Sequence, residues 1–278
     1  MKIVGASAKT TILDGGARGR VINITSTSAR VTLSKVTIQN GFASPGGGVK
    51  NSGTLTISNS TLTANHTSIL GSSSGGGIFN TGTLTISNTT LSGNSSPSSN
   101  GGGGGVYSSG PGSTVTINNS TFSGNTAAKG GGIDNVRTFG SSNVTINNST
   151  FSGNKGGIDN VEGGVFLQNS IIANNTIGNC SGAITSNGYN LSSDSTCNFN
   201  GPGDLNNTDP MLGPLQNNGG PTQTQALLSG SPAIDAGNPN GCTDGNGNLL
   251  KTDQRGAPRP DKEDTSGCDM GAYESQTD

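Results

Sequence analysis

Tryptophan is absent, histidine occurs once, and only 11% of the 278 residues are charged. Hydrophobic residues make up 28% and aromatic residues 4%, too few for an ordinary two-layer globule of this length. No apolar run approaches the roughly 18 residues a spanning helix needs, so membrane insertion is not expected. A net charge of -2 leaves no basic stripe to neutralise phosphates, which removes nucleic acid from the expected partners. The opening MKIVGASAKTTILDGG has one lysine and no apolar h-region, so it does not read as a secretory signal; a leader has been removed, or the chain is a piece of a longer one. His66 has no partner in sequence with which to build a catalytic triad, and nucleophilic hydrolysis gains little support.

Cysteine is confined to the last hundred residues of the chain, at Cys180, Cys197, Cys242 and Cys268. An even count in two close pairs reads as two local disulfides, Cys180 with Cys197 and Cys242 with Cys268, formed outside the cytoplasm. Zinc is disfavoured, because no Cys-x-x-Cys pair exists and His66 is remote in sequence.

What the chain has in abundance is glycine, 48 residues, together with Ser, Thr and Asn. That composition alone would suggest disorder, but a strong internal repeat overrules it. A Gly-Gly-aliphatic-x-Asn/Ser landmark appears as GRVIN, GGVKN, GGIFN, GGVYS and twice as GGIDN, with aliphatic members Val21, Val49, Ile78, Val106, Ile133 and Ile158. A second block follows in each unit, as LTISNSTLTAN from Leu55, VTINNSTFSGN from Val115 and related segments from Val31, Leu84, Val144 and Val165. Each block alternates at period two; in the first, Val31, Leu33, Val36 and Ile38 face one way and the polar residues the other.

Such short strands bury their apolar face only by stacking coil on coil. The fold expected is therefore all-β, a right-handed parallel β-helix of about six to eight coils. Residues 1–200 form the repeats, and 201–278 form an irregular cap stapled by a disulfide and packed on the open end. Stacking places Ile38, Leu62, Leu91, Phe122, Phe151 and Ile172 in one interior column, with Leu33, Ile57, Ile86, Ile117, Ile146 and Leu167 in another. Asn59, Asn88, Asn119, Asn148 and Asn169 share a bend, where their amides are expected to form a ladder.

The pairing of GGGI with FSGN, at Phe122 to Asn125 and Phe151 to Asn154, resembles the repeats of polymorphic outer-membrane proteins. The tail segments DPMLGPLQNNGGPTQTQALLSGSPAIDAG, TDQRGAPRP and CDMGAYE resemble the C-terminal module of bacterial parallel β-helix surface proteins of the choice-of-anchor Q type. These resemblances imply a secreted or cell-surface bacterial location and an adhesin-like role. They carry no catalytic residues to these positions.

Stacking aligns Asp134 with Asp159 and, roughly, Lys129 with Lys155, with Arg137 and Glu162 close by; paired carboxylates of this kind can bind calcium or share a proton. Asp244, Asn246 and Asn248 have the first spacings of a calcium loop, although Leu249 and Arg255 depart from that pattern. The outward residues Thr54, Thr56, Thr83, Thr85, Thr114, Thr116 and Thr145 form a two-column hydroxyl grid of the sort found on ice-binding solenoids; Thr61, Thr90, Thr121 and Thr150 form a further column. The reading favoured is a non-catalytic module that binds a glycan or a cell-surface protein. A polysaccharide lyase or hydrolase, and an ice-binding surface, are the alternatives. No cofactor is required, and calcium is the one ion to which these residues point.

Overall fold

Alternation at period two makes each block a strand with one buried edge of side chains. A computed structural model of the chain describes residues 1–69, 73–262 and 267–276. In the strand Thr54–Ser58, Leu55 and Ile57 are fully buried while Thr54, Thr56 and Ser58 remain partly exposed. Successive coils pair in parallel into three long sheets. Sheet A has eight strands, from Lys2–Val4 to Thr185–Ser186; sheet B has eight, from Ile12–Asp14 to Leu191–Ser192; sheet C has seven, from Ile22–Ile24 to Cys180–Ser181. The fold is an all-β parallel solenoid with no helix among the described residues.

Both interior columns are present in register. Leu62, Leu91, Phe122 and Phe151 pair in sequence across sheet B, and Ile57, Ile86, Ile117 and Ile146 across sheet A. The rings of Phe122 and Phe151 stack inside with centroids 4.3 Å apart. One landmark shifts by a residue: Ile22, not Val21, pairs with Val49.

Two polar columns are placed differently from the sequence expectation. Asn59, Asn88, Asn119, Asn148 and Asn169 do bend the chain, with φ between +46° and +50°, a conformation Asn tolerates better than most residues. Their amides do not form the ladder, because at this corner the side chain leaves the core: Asn119 and Asn148 donate to the carbonyls of Thr252 and Thr243 in the tail. The ladder forms at the next corner, where Asn65, Asn94, Asn125, Asn154 and Asn175 each donate to the following amide oxygen at 2.9–3.0 Å, ending on Asn179. The same Nδ2 atoms also reach strand carbonyls, those of Leu62, Leu91 and Phe122 among them, so the buried amides are satisfied.

Hydroxyls likewise occur inside. Ser60, Thr89, Ser120, Ser149 and Ser170 are fully buried in the column that Val36 begins. Each donates to the carbonyl two residues earlier, at 2.7–2.8 Å, and accepts the backbone N–H of the preceding coil's column member. A hydroxyl that both donates and accepts is cheap to bury, which is why apolar spacing missed this column.

The tail, expected as a cap on the open end, does not stay there. Phe199 packs in the core and Leu205 bridges Leu191, extending the last coil. The chain then forms an antiparallel hairpin, Leu212–Gln216 with Thr224–Leu227, and runs back along the outer face of sheet B. There the side chain of Thr90 donates to the Gln223 carbonyl, Thr121 donates to Gln254, and the Ala272 N–H donates to Thr150. This outward column is hydroxylic on the middle coils and apolar at Ile171 and Leu191, so it offers hydrogen bonds first and then a greasy seat for Leu227, Ala233 and Met270. Both disulfides form as paired from the spacing, Cys180 with Cys197 and Cys242 with Cys268.

Candidate ligand-binding face

In sheet C the aliphatic residue of each landmark points inward, so the residue after it must point outward. The register stacks these variable positions as Lys50, Phe79, Tyr107, Asp134, Asp159 and Ser181. Asp134 and Asp159 are thus one rung apart, as the repeat implies. Below them, Phe79 and Tyr107 stack with ring centroids 5.3 Å apart and planes inclined by 11°. Sequence reasoning set little store by the scarce aromatics and missed this pair. The signal was available, since Phe79 and Tyr107 occupy the same landmark position as Asp134 and Asp159.

Asp134 is only 2% exposed, and its Oδ1 has no hydrogen-bond partner. The carboxyl lies against Gly102, where any Cβ would collide with Oδ2. Burial, reinforced by the Asp159 charge and opposed by Lys129, pushes Asp134 up to about 7. Burial and the Asp134 charge also raise the Tyr107 phenol, against a hydrogen bond with Ser109. Two cavities flank the pair. One of about 360 Å³ is lined by Ser74, Phe79, Asn100, Tyr107, Lys129 and Asp134, among others; one of about 550 Å³ is lined by Lys129, Asp159, Glu162, Ile177 and Ser181, among others.

Lys129 and Lys155 do not share a rung. Lys129 bridges Gly102 and Lys155 bridges Thr126, because the fifth coil has four more residues than the sixth between its ladder Asn and its landmark, Asn125 to Ile133 against Asn154 to Ile158. Lys129 therefore stays beside the carboxylates, while Lys155 lines a separate pocket with Ser95, Pro97 and Thr126. Arg137 turns to the Gly140 carbonyl. Among the described residues no ion pair joins these groups to Asp134 or Asp159.

The Thr grid is in register across Thr54, Thr83 and Thr114, and across Thr56, Thr85, Thr116 and Thr145. Its far end is covered: Gly245 of the tail packs against the methyls of Thr116 and Thr145 and donates to Asn118. The other column, Thr90, Thr121 and Thr150, is buried as the seat of the tail.

Asp244, Asn246 and Asn248 fall in a turn on the same loop. Asp244 Oδ1 accepts the N–H groups of Asn246 and Asn248, and Oδ2 accepts the Asn248 amide. Burial works against the Asp244 charge, but these hydrogen bonds outweigh it and hold the carboxyl below its ordinary value. Both oxygens are thereby committed to closing the turn. No group of three or more His, Cys, Asp or Glu side chains positioned to hold a metal occurs among the described residues.

The family model described as right handed beta helix region matches residues 20–202. A search of curated proteins returns no match. A search of solved structures returns none either.

Proposed function

Because the chain belongs to the right-handed β-helix family, whose fold does not by itself dictate a chemistry, we propose its function from the outward column of sheet C: a non-catalytic module that binds a glycan outside the cytoplasm. The observation that carries this reading is the stacked Phe79–Tyr107 pair adjoining a buried carboxyl with an unused acceptor. Aromatic rings offer apolar area, and a few convergent polar groups orient a ligand against it. Two disulfides support an oxidising location, in keeping with a secreted or cell-surface protein.

A second reading has one observation in its favour. Asp134, held near neutrality one rung from Asp159, has the protonation behaviour of a general acid beside a carboxylate, which a polysaccharide-cleaving site would use. The neighbouring members of that column are Tyr107 and Ser181, so no further carboxylate extends the pair. The Thr grid is less well suited to a flat ligand such as ice, since the tail covers its end.

Retention on a broad glycan panel, with product release followed in parallel, separates these readings. Retention without release, lost in Tyr107→Ala with the fold intact, is the expected result. Release of oligosaccharides that stops in Asp134→Asn would replace binding by cleavage, and failure to retain any glycan would sink the proposal.

A further inference from the structure

The two rings in the outward column do not offer their faces equally. One face of Tyr107 lies against Phe79 on the rung before it. Its other face is turned toward the rung of Asp134, where the 360 Å³ cavity opens between Tyr107, Asp134, Asn100 and Ser74. This space is larger than one water and is bounded by an apolar wall, a carboxyl, an amide and a hydroxyl. The Asp134 carboxyl is buried, yet Oδ1 touches no donor, and native proteins rarely leave such an atom without a partner. The absence of a side chain at Gly102 makes room for the carboxyl to sit there.

Resting on the glycan reading above, we infer that this cavity is a subsite for a neutral pyranose unit, whose apolar ring face packs on Tyr107 and whose hydroxyls bond to Asp134. The charge of the lining argues for a neutral sugar over an acidic one. Among the described residues that line the two flanking cavities, Lys129 is the only cationic side chain, and it stands against Asp134, Asp159 and Glu162. A uronate carboxylate would add a negative charge to this surplus, whereas hydroxyls need only donors and acceptors. The partly protonated state of Asp134 near neutral pH fits the same ligand, because a neutral carboxyl donates to one hydroxyl and accepts from another.

The test compares a neutral hexose oligosaccharide with the oligouronate of the same length by calorimetry on the intact chain. The neutral ligand is expected to bind more tightly. Tyr107→Ala and Gly102→Ala, the second of which displaces the carboxyl, should each weaken it about tenfold or more. Ser123→Ala, on sheet B, should leave binding unchanged. Equal or tighter binding of the oligouronate overturns the neutral-sugar assignment while sparing the glycan reading, provided that Tyr107→Ala still weakens it. Unchanged affinity for the neutral ligand in both Tyr107→Ala and Gly102→Ala overturns the subsite, and absence of binding by either oligosaccharide overturns subsite and glycan reading together. The comparison of ligands uses the wild-type chain, so it stands even where a variant folds poorly.

Discussion

Asp134 shows how one side chain records the competition between burial and charge. Its folded-state value of about 7 lies well above the ordinary 3.8, so between those values the native chain holds a proton that the unfolded chain has lost. Native protein then binds more protons than unfolded protein, and stability falls as pH rises through this window and levels off above it. Asp134→Asn should remove that dependence, matching wild type near pH 4 and exceeding it near pH 8 by at most about 4 kcal/mol. Chemical denaturation at the two pH values checks this. A wild type that gains on the variant as pH rises would mean that Asp134 is charged and well paired. The alignment of Asp134 with Asp159 was legible in the repeat, because register follows from the landmark spacing. Its burial was not, since that depends on Gly102 and the Asn100 loop one coil away.

At the scale of a single strand, alternation decides the cost of a substitution. Ile117 is fully buried and Thr116 is outward, so Ile117→Asp should lose several kcal/mol more than Thr116→Asp. Equal unfolding midpoints would show the register to be displaced by one residue. The corner ladder answers to a different rule. Asn125→Ala removes the acceptor of Asn94 and the donor to Asn154, and each buried group left unpaired costs about 1–3 kcal/mol. That loss should appear as faster amide exchange on the coils either side of residue 125, whereas exchange confined to that one coil would show the ladder to be dispensable. Period-two reasoning could not rank the Asn columns, because both repeat at the same interval. Only the corner dihedrals send one set of amides inward and the other out to the tail.

For the molecule as a whole, the tail acts as a strap on one flank. Arg259 is buried and donates to Glu274 at 2.6 Å, to the Asn119 side chain at 2.9 Å and to the Gly271 carbonyl at 3.0 Å. Gln254 adds hydrogen bonds to Thr90 and Thr121. These residues belong to the TDQRGAPRP and CDMGAYE segments, whose structural role could not be read from their sequence. Arg259→Ala leaves the Glu274 carboxyl buried without its cation and should cost about 3–5 kcal/mol. Limited proteolysis is expected to release residues beyond 210 while the coils keep their β circular dichroism, since each coil is held mainly by its neighbours. Simultaneous loss of both would make the tail part of the cooperative core instead.

The sequence by itself determined the stacking: the parallel coils, the two apolar columns and the two disulfides all follow from spacing along a chain that repeats. Spacing suffices there because parallel, in-register pairing turns sequence period into vertical alignment. Tertiary structure alone decided which polar residues go inside, where the aromatic pair adjoins the carboxyls, and where the tail lies. Ser120 is buried and Thr121 is covered by the tail, although both are small hydroxylic residues at adjacent positions. What separates them is the direction of a corner and the surface that later folds over it, and neither is local to the strand.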